Sequence, residues 1–175
     1  MQRNFFLWLS ILALVIVLVL PQMVNAQMGR SPGMMGNPGM MGNPGMRNDA
    51  QIIHQLFAYH NQINRTVKQL PDGIQAVTRS NDPYVAALIQ AHVASMYQRV
   101  ANKQPIPMVH MAPTLPTLLQ NSDRYKRALN NTAKGVTVTE TASYPNLIKT
   151  IREHAREVDG FVKAGMSSGM GGMRN

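Results

Sequence analysis

Apolar residues recur at helical spacing in three parts of the chain. Ile53, Leu56, Phe57, His60, Ile63 and Val67 form one stripe. Val85, Leu88, Ile89, His92 and Met96 form the second, and Leu147, Ile151, His154, Val158 and Phe161 the third. Between them the period drops to two. Residues 74–79 and Val136-Thr137-Val138-Thr139 read as short strands rich in β-branched residues. Leu-Pro-Asp-Gly at 70–73 and Lys134-Gly135 supply turn chemistry. Asp49 is placed to cap a helix running to about Gln69, and Asp82-Pro83 to open one ending near Asn102. A third helix is predicted over 116–132, and a fourth from Pro145 to about Lys163. Pro105, Pro107 and Pro113 predict an extended linker over 103–115.

The chain aligns with itself, without a gap, at a shift of 62 residues. Arg65 then meets Arg127, Gly73 meets Gly135, Pro83 meets Pro145, Ile89 meets Ile151 and His92 meets His154. Apolar character agrees between these identities, as in Ile74 with Val136 and Val85 with Leu147. The pattern predicts a duplicated helix–strand–helix unit. Two strands cannot stand alone in water. The expected fold is therefore α+β and mostly α: a four-helix bundle carrying a two-stranded antiparallel ribbon on a pseudo-two-fold axis.

The ends of the chain differ in kind. Arg3, the apolar run from Phe5 to Leu20 and Val24-Asn25-Ala26 read as a signal peptide over 1–26. The run falls short of the roughly 20 residues of a spanning helix, although an uncleaved membrane anchor is the rival reading. Residues 27–47 and 165–175 are predicted to be disordered tails rich in Met, Gly and Pro. The folded domain is then 48–164, with copies at 48–102 and 116–164. The expected address is bacterial and exported, periplasmic or secreted.

Composition narrows the chemistry. The 175 residues hold 17 Lys+Arg against 8 Asp+Glu, a net charge of +9, with no Cys and 14 Met. No Cys excludes disulfides, thiolate metal sites and Cys nucleophiles. The cations are scattered, aromatics make up 6% of residues, and the address is extracytoplasmic, so nucleic acid is not expected as a partner. No nucleophile elbow, phosphate loop or His-Glu-x-x-His motif is present, and an enzyme is not expected.

Three of the five histidines, His60, His92 and His154, fall on the apolar stripes and are expected to point inward. Imidazoles from three helices would make a metal site. Hydrogen bonds to backbone or to Tyr59 or Tyr97 would serve a purely structural role instead. Met96 lies one turn beyond His92. Met108-Val109-His110-Met111 in the linker offers two thioethers and an imidazole, a mix that favours copper. Tail residues Met34, Met35, Met40, Met41 and Met46 are further soft contacts for Cu(I).

Residues 64–93, Asn-Arg-Thr-Val-x-x-Leu-Pro-Asp-Gly-Ile-x-x-Val-Thr-x-Ser-x-Asp-Pro-x-Val-x-x-Leu-Ile-x-x-His-Val, resemble a domain of many exported bacterial proteins without an assigned function. So does Thr-x-x-Gly-Val-x-Val-Thr-Glu-Thr at 132–141, followed by His154-Ala155. The likeness covers about 54–163, and the second copy departs from the first at Ser122, which stands where His60 stands. The tails resemble Met-rich segments of copper-handling proteins. The combined expectation is an exported metal-binding protein that carries or sequesters copper, with an exported copper or redox protein as a possible partner. A non-catalytic envelope interaction module and a haem or redox accessory domain are the alternatives. Zinc and iron also remain open for the histidines, as does a homodimer.

Overall fold

The computed structural model describes residues 44–170. Helix α1 (Pro44–Ala58) leads through a 3-10 turn (His60–Gln62) into strands β1 (Asn64–Leu70) and β2 (Gly73–Arg79). Helix α2 (Pro83–Ala101) follows. A loop and short helix α3 (Leu115–Gln120) lead to β3 (Tyr125–Thr132), β4 (Gly135–Ala142), α4 (Pro145–Ala164) and α5 (Ser167–Met170). The strands form one antiparallel sheet in the order β1-β2-β4-β3.

The expected four-helix bundle with a two-stranded ribbon is therefore wrong. The β2–β4 pair exists, but it is the centre of a four-stranded sheet. The segments 64–70 and 125–132, expected to end helices, are the outer strands. Ile63 and Val67 fit a helical stripe, but Ile63, Arg65 and Val67 also fit a period of two. The two-residue connections settle the choice. Leu70 pairs with Gly73 and Thr132 with Gly135, so both turns join strand to strand. Asn64 and Asn130, read as helical, lie on β1 and β3.

The ends of the first helix also differ. It starts at Pro44, ahead of the expected cap Asp49, so part of the expected tail is helical. Asp49 is buried inside α1 and does not cap it. Its carboxylate accepts hydrogen bonds from Arg99 Nε at 2.6 Å and Ser95 Oγ at 2.8 Å, which tie α1 to α2. The second expected tail contains α5, and residues 1–26, expected to be a signal peptide, lie outside the described residues.

The starts of α2 and α4 agree with the chain's punctuation. Asp82 caps α2 through Tyr84 N and Val85 N, and Pro83 takes the first position, where its missing N–H is harmless. Pro145 does the same for α4.

A shift of 62 residues carries β1 onto β3, β2 onto β4 and α2 onto α4. Tertiary contacts repeat with it. Gln90 Nε2 donates to Thr132 O at 2.7 Å, and Arg152 Nη2 donates to Leu70 O at 2.6 Å. Each long helix thus satisfies a carbonyl at the other half's hairpin. Ser80 N donates to Lys134 O and Ala142 N to Asp72 O, both at 2.9 Å. Along β4, Val136, Val138, Glu140 and Ala142 alternate inward, while Ile74, Ala76 and Thr78 do so on β2. Val85, Ile89, Leu147, Ile151 and Ala155 pack with these strands in the core.

Candidate functional site

Between the sheet, the long helices, the end of α1 and the 103–115 loop lies a cavity of about 230 Å³. Native interiors hold few voids much larger than a water molecule. Its walls are mainly aliphatic and aromatic, including Ile53, Phe57, Val93, Val158 and Phe161. His60, His92, His154, Met96, Met108 and Met111 all line it. His110, in the same linker motif, is exposed, and Met46 of α1 does not line the cavity. Met34, Met35, Met40 and Met41 lie outside the described residues.

The surroundings of the histidines differ from expectation in two ways. His60 is not on a helix: the 3-10 turn after α1 carries it. Among the described residues, no three His, Asp or Glu side chains stand close enough to hold one metal ion. The three imidazoles share a cavity without forming a preassembled three-histidine centre.

The linker is not the extended strip its prolines predict. Val109–Met111 is a 3-10 turn, and Met108 before it has φ 55°. This turn points Met108 and Met111 at the cavity and leaves His110 in solvent. Arg99 Nη1 holds one end of the loop through Pro105 O at 2.9 Å. At the other end, Thr114 N and Oγ1 donate to Glu157 of α4 at 3.2 and 2.5 Å.

The ring nitrogens sort into two groups. His60 Nδ1 lies 3.1 Å from Val162 O; a carbonyl can only accept, so Nδ1 is the donor. His154 Nδ1 lies 3.2 Å from Glu157 Oε2 and 3.0 Å from Thr114 Oγ1. The Thr114 hydroxyl proton already goes to Glu157, so His154 Nδ1 is the donor. Carboxylate or carbonyl support at one nitrogen is the usual way to orient a ligating imidazole. Burial pushes the Glu157 carboxyl up, but the bonds from His154 and Thr114 outweigh it and hold it below its ordinary range.

His92 is different. Its Nδ1 is sealed with no hydrogen-bond partner. Burial pulls its pKa down to about 4, against the opposing pull of Asp49 and with a small push from His154. The ring is neutral at pH 7. Among the described residues, no Nε2 of these three rings makes a protein hydrogen bond, and none is sealed off.

The floor of the cavity carries residues the periodicity reading passed over. Glu140 is 8% exposed, and its Oε1 accepts from Tyr97 Oη at 2.9 Å. Burial, then Glu140, push the Tyr97 hydroxyl far above its usual range, and the same causes push Tyr125 up to about 12 against Arg127. Arg65, on β1, is paired with Asp159 at 2.9 Å and donates to Thr78 Oγ1 at 2.8 Å. The alternation Val136, Val138, Glu140 was the available signal. The expected strand stopped at Thr139, three residues short of its end at Ala142 and just before Glu140.

Compared with known protein families, curated proteins and solved structures, the chain matches none.

Proposed function

We propose that this chain binds Cu(I) in its cavity, through His92 and Met96 on α2 together with Met108 or Met111 from the loop, and serves as a copper carrier or sequestration protein. The observation that carries the reading is the shared wall: a neutral imidazole with a free Nε2 lines the same cavity as three thioethers. His92 and Met96 are four residues apart on one helix and so lie on one face. Cu(I) accepts two or three soft ligands, and mixed imidazole–thioether sets suit it better than zinc, magnesium or calcium. Such a set needs no cluster of three His or carboxylates. His60 and His154, already oriented by Val162 and Glu157, are the further nitrogen donors within the cavity. The methionine-rich ends would capture ions and pass them inward.

Competition with a chromophoric Cu(I) chelator under anaerobic conditions tests the reading. His92→Ala is expected to remove one tight equivalent from the full chain and leave any weaker binding by the ends. Unchanged tight stoichiometry in His92→Ala and in Met96→Leu would refute it.

A second reading, an envelope interaction module, has one observation in its favour. The strand positions that alternate away from the helices include Lys68, Arg79 and Lys126 and no acidic residue. Cosedimentation with anionic vesicles, lost in a Lys68→Glu/Lys126→Glu variant, would support that reading.

A further inference from the structure

The chain buries two acids, and it treats them differently. Asp49 has Arg99 against it at 2.6 Å. Glu140 is equally enclosed and lines the cavity, yet no Lys, Arg or His among the described residues lies within 4.0 Å of its carboxylate. Among the described residues, the one side-chain hydrogen bond its carboxylate accepts comes from the neutral Tyr97 hydroxyl. Arg127 is its partner across β3 and β4, but that guanidinium sits over the Tyr125 ring at 4.4 Å and donates to Ser122 O. Arg65, the other charged residue on the cavity wall, is already matched by Asp159.

Buried charges are normally paired, because an isolated ion in an apolar setting is costly. Glu140 is therefore a buried carboxylate with no cation in direct contact among the described residues, its cross-strand neighbour Arg127 being turned to Tyr125 and Ser122. We infer that Glu140 is the counter-charge for the bound ion and makes the cavity selective for a monovalent soft cation, Cu(I) or Ag(I), over divalent Cu(II) or Zn(II). This rests on the copper reading above and adds the specificity determinant. Imidazole and thioether ligands are neutral, so the ion keeps its full charge. One carboxylate balances a single positive charge. A divalent ion would leave one positive charge unbalanced among aliphatic walls. The interaction does not need a direct bond, since Coulombic attraction to a buried carboxylate is less screened than between exposed charges.

The test titrates the full chain with Ag(I), which is monovalent, soft and stable in air, and follows the His92 imidazole signals by NMR. Those signals report the cavity and not the methionine-rich ends. Glu140→Gln is expected to weaken Ag(I) binding at least tenfold, with Glu140→Asp within threefold of the parent. Zn(II) should fail to displace Ag(I) from the parent at equal concentration. Glu140→Leu, neutral and apolar, replaces Glu140→Gln should a buried amide not be tolerated. Equal Ag(I) affinity in the parent and the neutral variants would overturn the role of Glu140 and leave the cavity site standing. An unmoved His92 signal in the parent would overturn both.

Discussion

Ala76 pairs directly with Val138 across β2 and β4, and the two residues lie 62 positions apart. The repeat shift and the strand register therefore meet at this one pair. The register continues symmetrically: Ile74 pairs with Glu140 and Thr78 with Val136. A pseudo-two-fold axis through the centre of the sheet follows from these pairs alone. It places His92 of α2 and His154 of α4 as counterparts on the cavity. It also makes Glu140 the counterpart of Thr78, so the carboxylate is a feature of one half only.

The axis makes Gly73 and Gly135 equivalent hairpin ends, and neither has room for a side chain. A Cβ at Gly73 would stand 1.9 Å from Glu140 O, and one at Gly135 would stand 2.2 Å from Thr78 O. Gly135 also has φ 147°, which L residues rarely adopt. Gly73→Ala and Gly135→Ala are each expected to cost about 3 kcal/mol or more, because backbone rather than a flexible side chain must move. Urea denaturation would show it, and a loss below about 1 kcal/mol would contradict the close sheet register.

Asp49 and Arg99 carry a separate expectation. Their side chains are 6% and 9% exposed, so the pair is buried. Removing one partner strands the other charge, and Asp49→Asn is expected to destabilise the chain by about 3–5 kcal/mol. Asp49→Leu with Arg99→Met should recover most of that loss, as buried pairs are often replaceable by apolar residues. Thermal melts of the single and double variants distinguish a buried pair from a surface one.

His92 predicts an acid-side loss of stability. Its pKa falls from an ordinary 6.5 to about 4 on folding. The unfolded chain thus binds a proton that the folded chain refuses. The stabilisation is complete above pH 6.5 and is lost as pH falls to about 4, a total of about 3 kcal/mol. His92→Gln should flatten this part of the profile while leaving other acid-sensitive groups, such as Glu157, unchanged. The difference between parent and variant at pH 7.5 and pH 4 isolates the effect, and parallel profiles would contradict it.

The parts of the fold legible in the chain were those with one compatible reading. Pro83 and Pro145 mark helix starts, and the β-branched alternation at 136–139 marks a strand. The outer strands were not legible because Ile63 and Val67, four residues apart, satisfy both periods at once. Their outward residues are mostly polar, with Asn64, Thr66, Lys68, Lys126, Asn130 and Thr132 among them, as suits strands with one solvent-facing side. The turn at Pro71-Asp72 held the missing information, since a two-residue connection pairs the residues on both sides of it. At the site, His92 and His154 were legible from their helical stripes. His60 reached the cavity from a 3-10 turn. Met108 and Met111 reached it through a left-handed residue that no propensity suggests. Glu140 was hidden by stopping a strand early.

Copper K-edge X-ray absorption of the full chain loaded with one equivalent of Cu(I) tests the central claim most directly. Binding in the cavity gives a mixed first shell, with imidazole nitrogen at about 2.0 Å and thioether sulfur at about 2.3 Å, distances typical of such ligands. His92→Ala is expected to remove the nitrogen scatterer and its multiple-scattering signature. A shell of sulfur alone in the parent would contradict ligation by His92 and with it the mixed imidazole–thioether site.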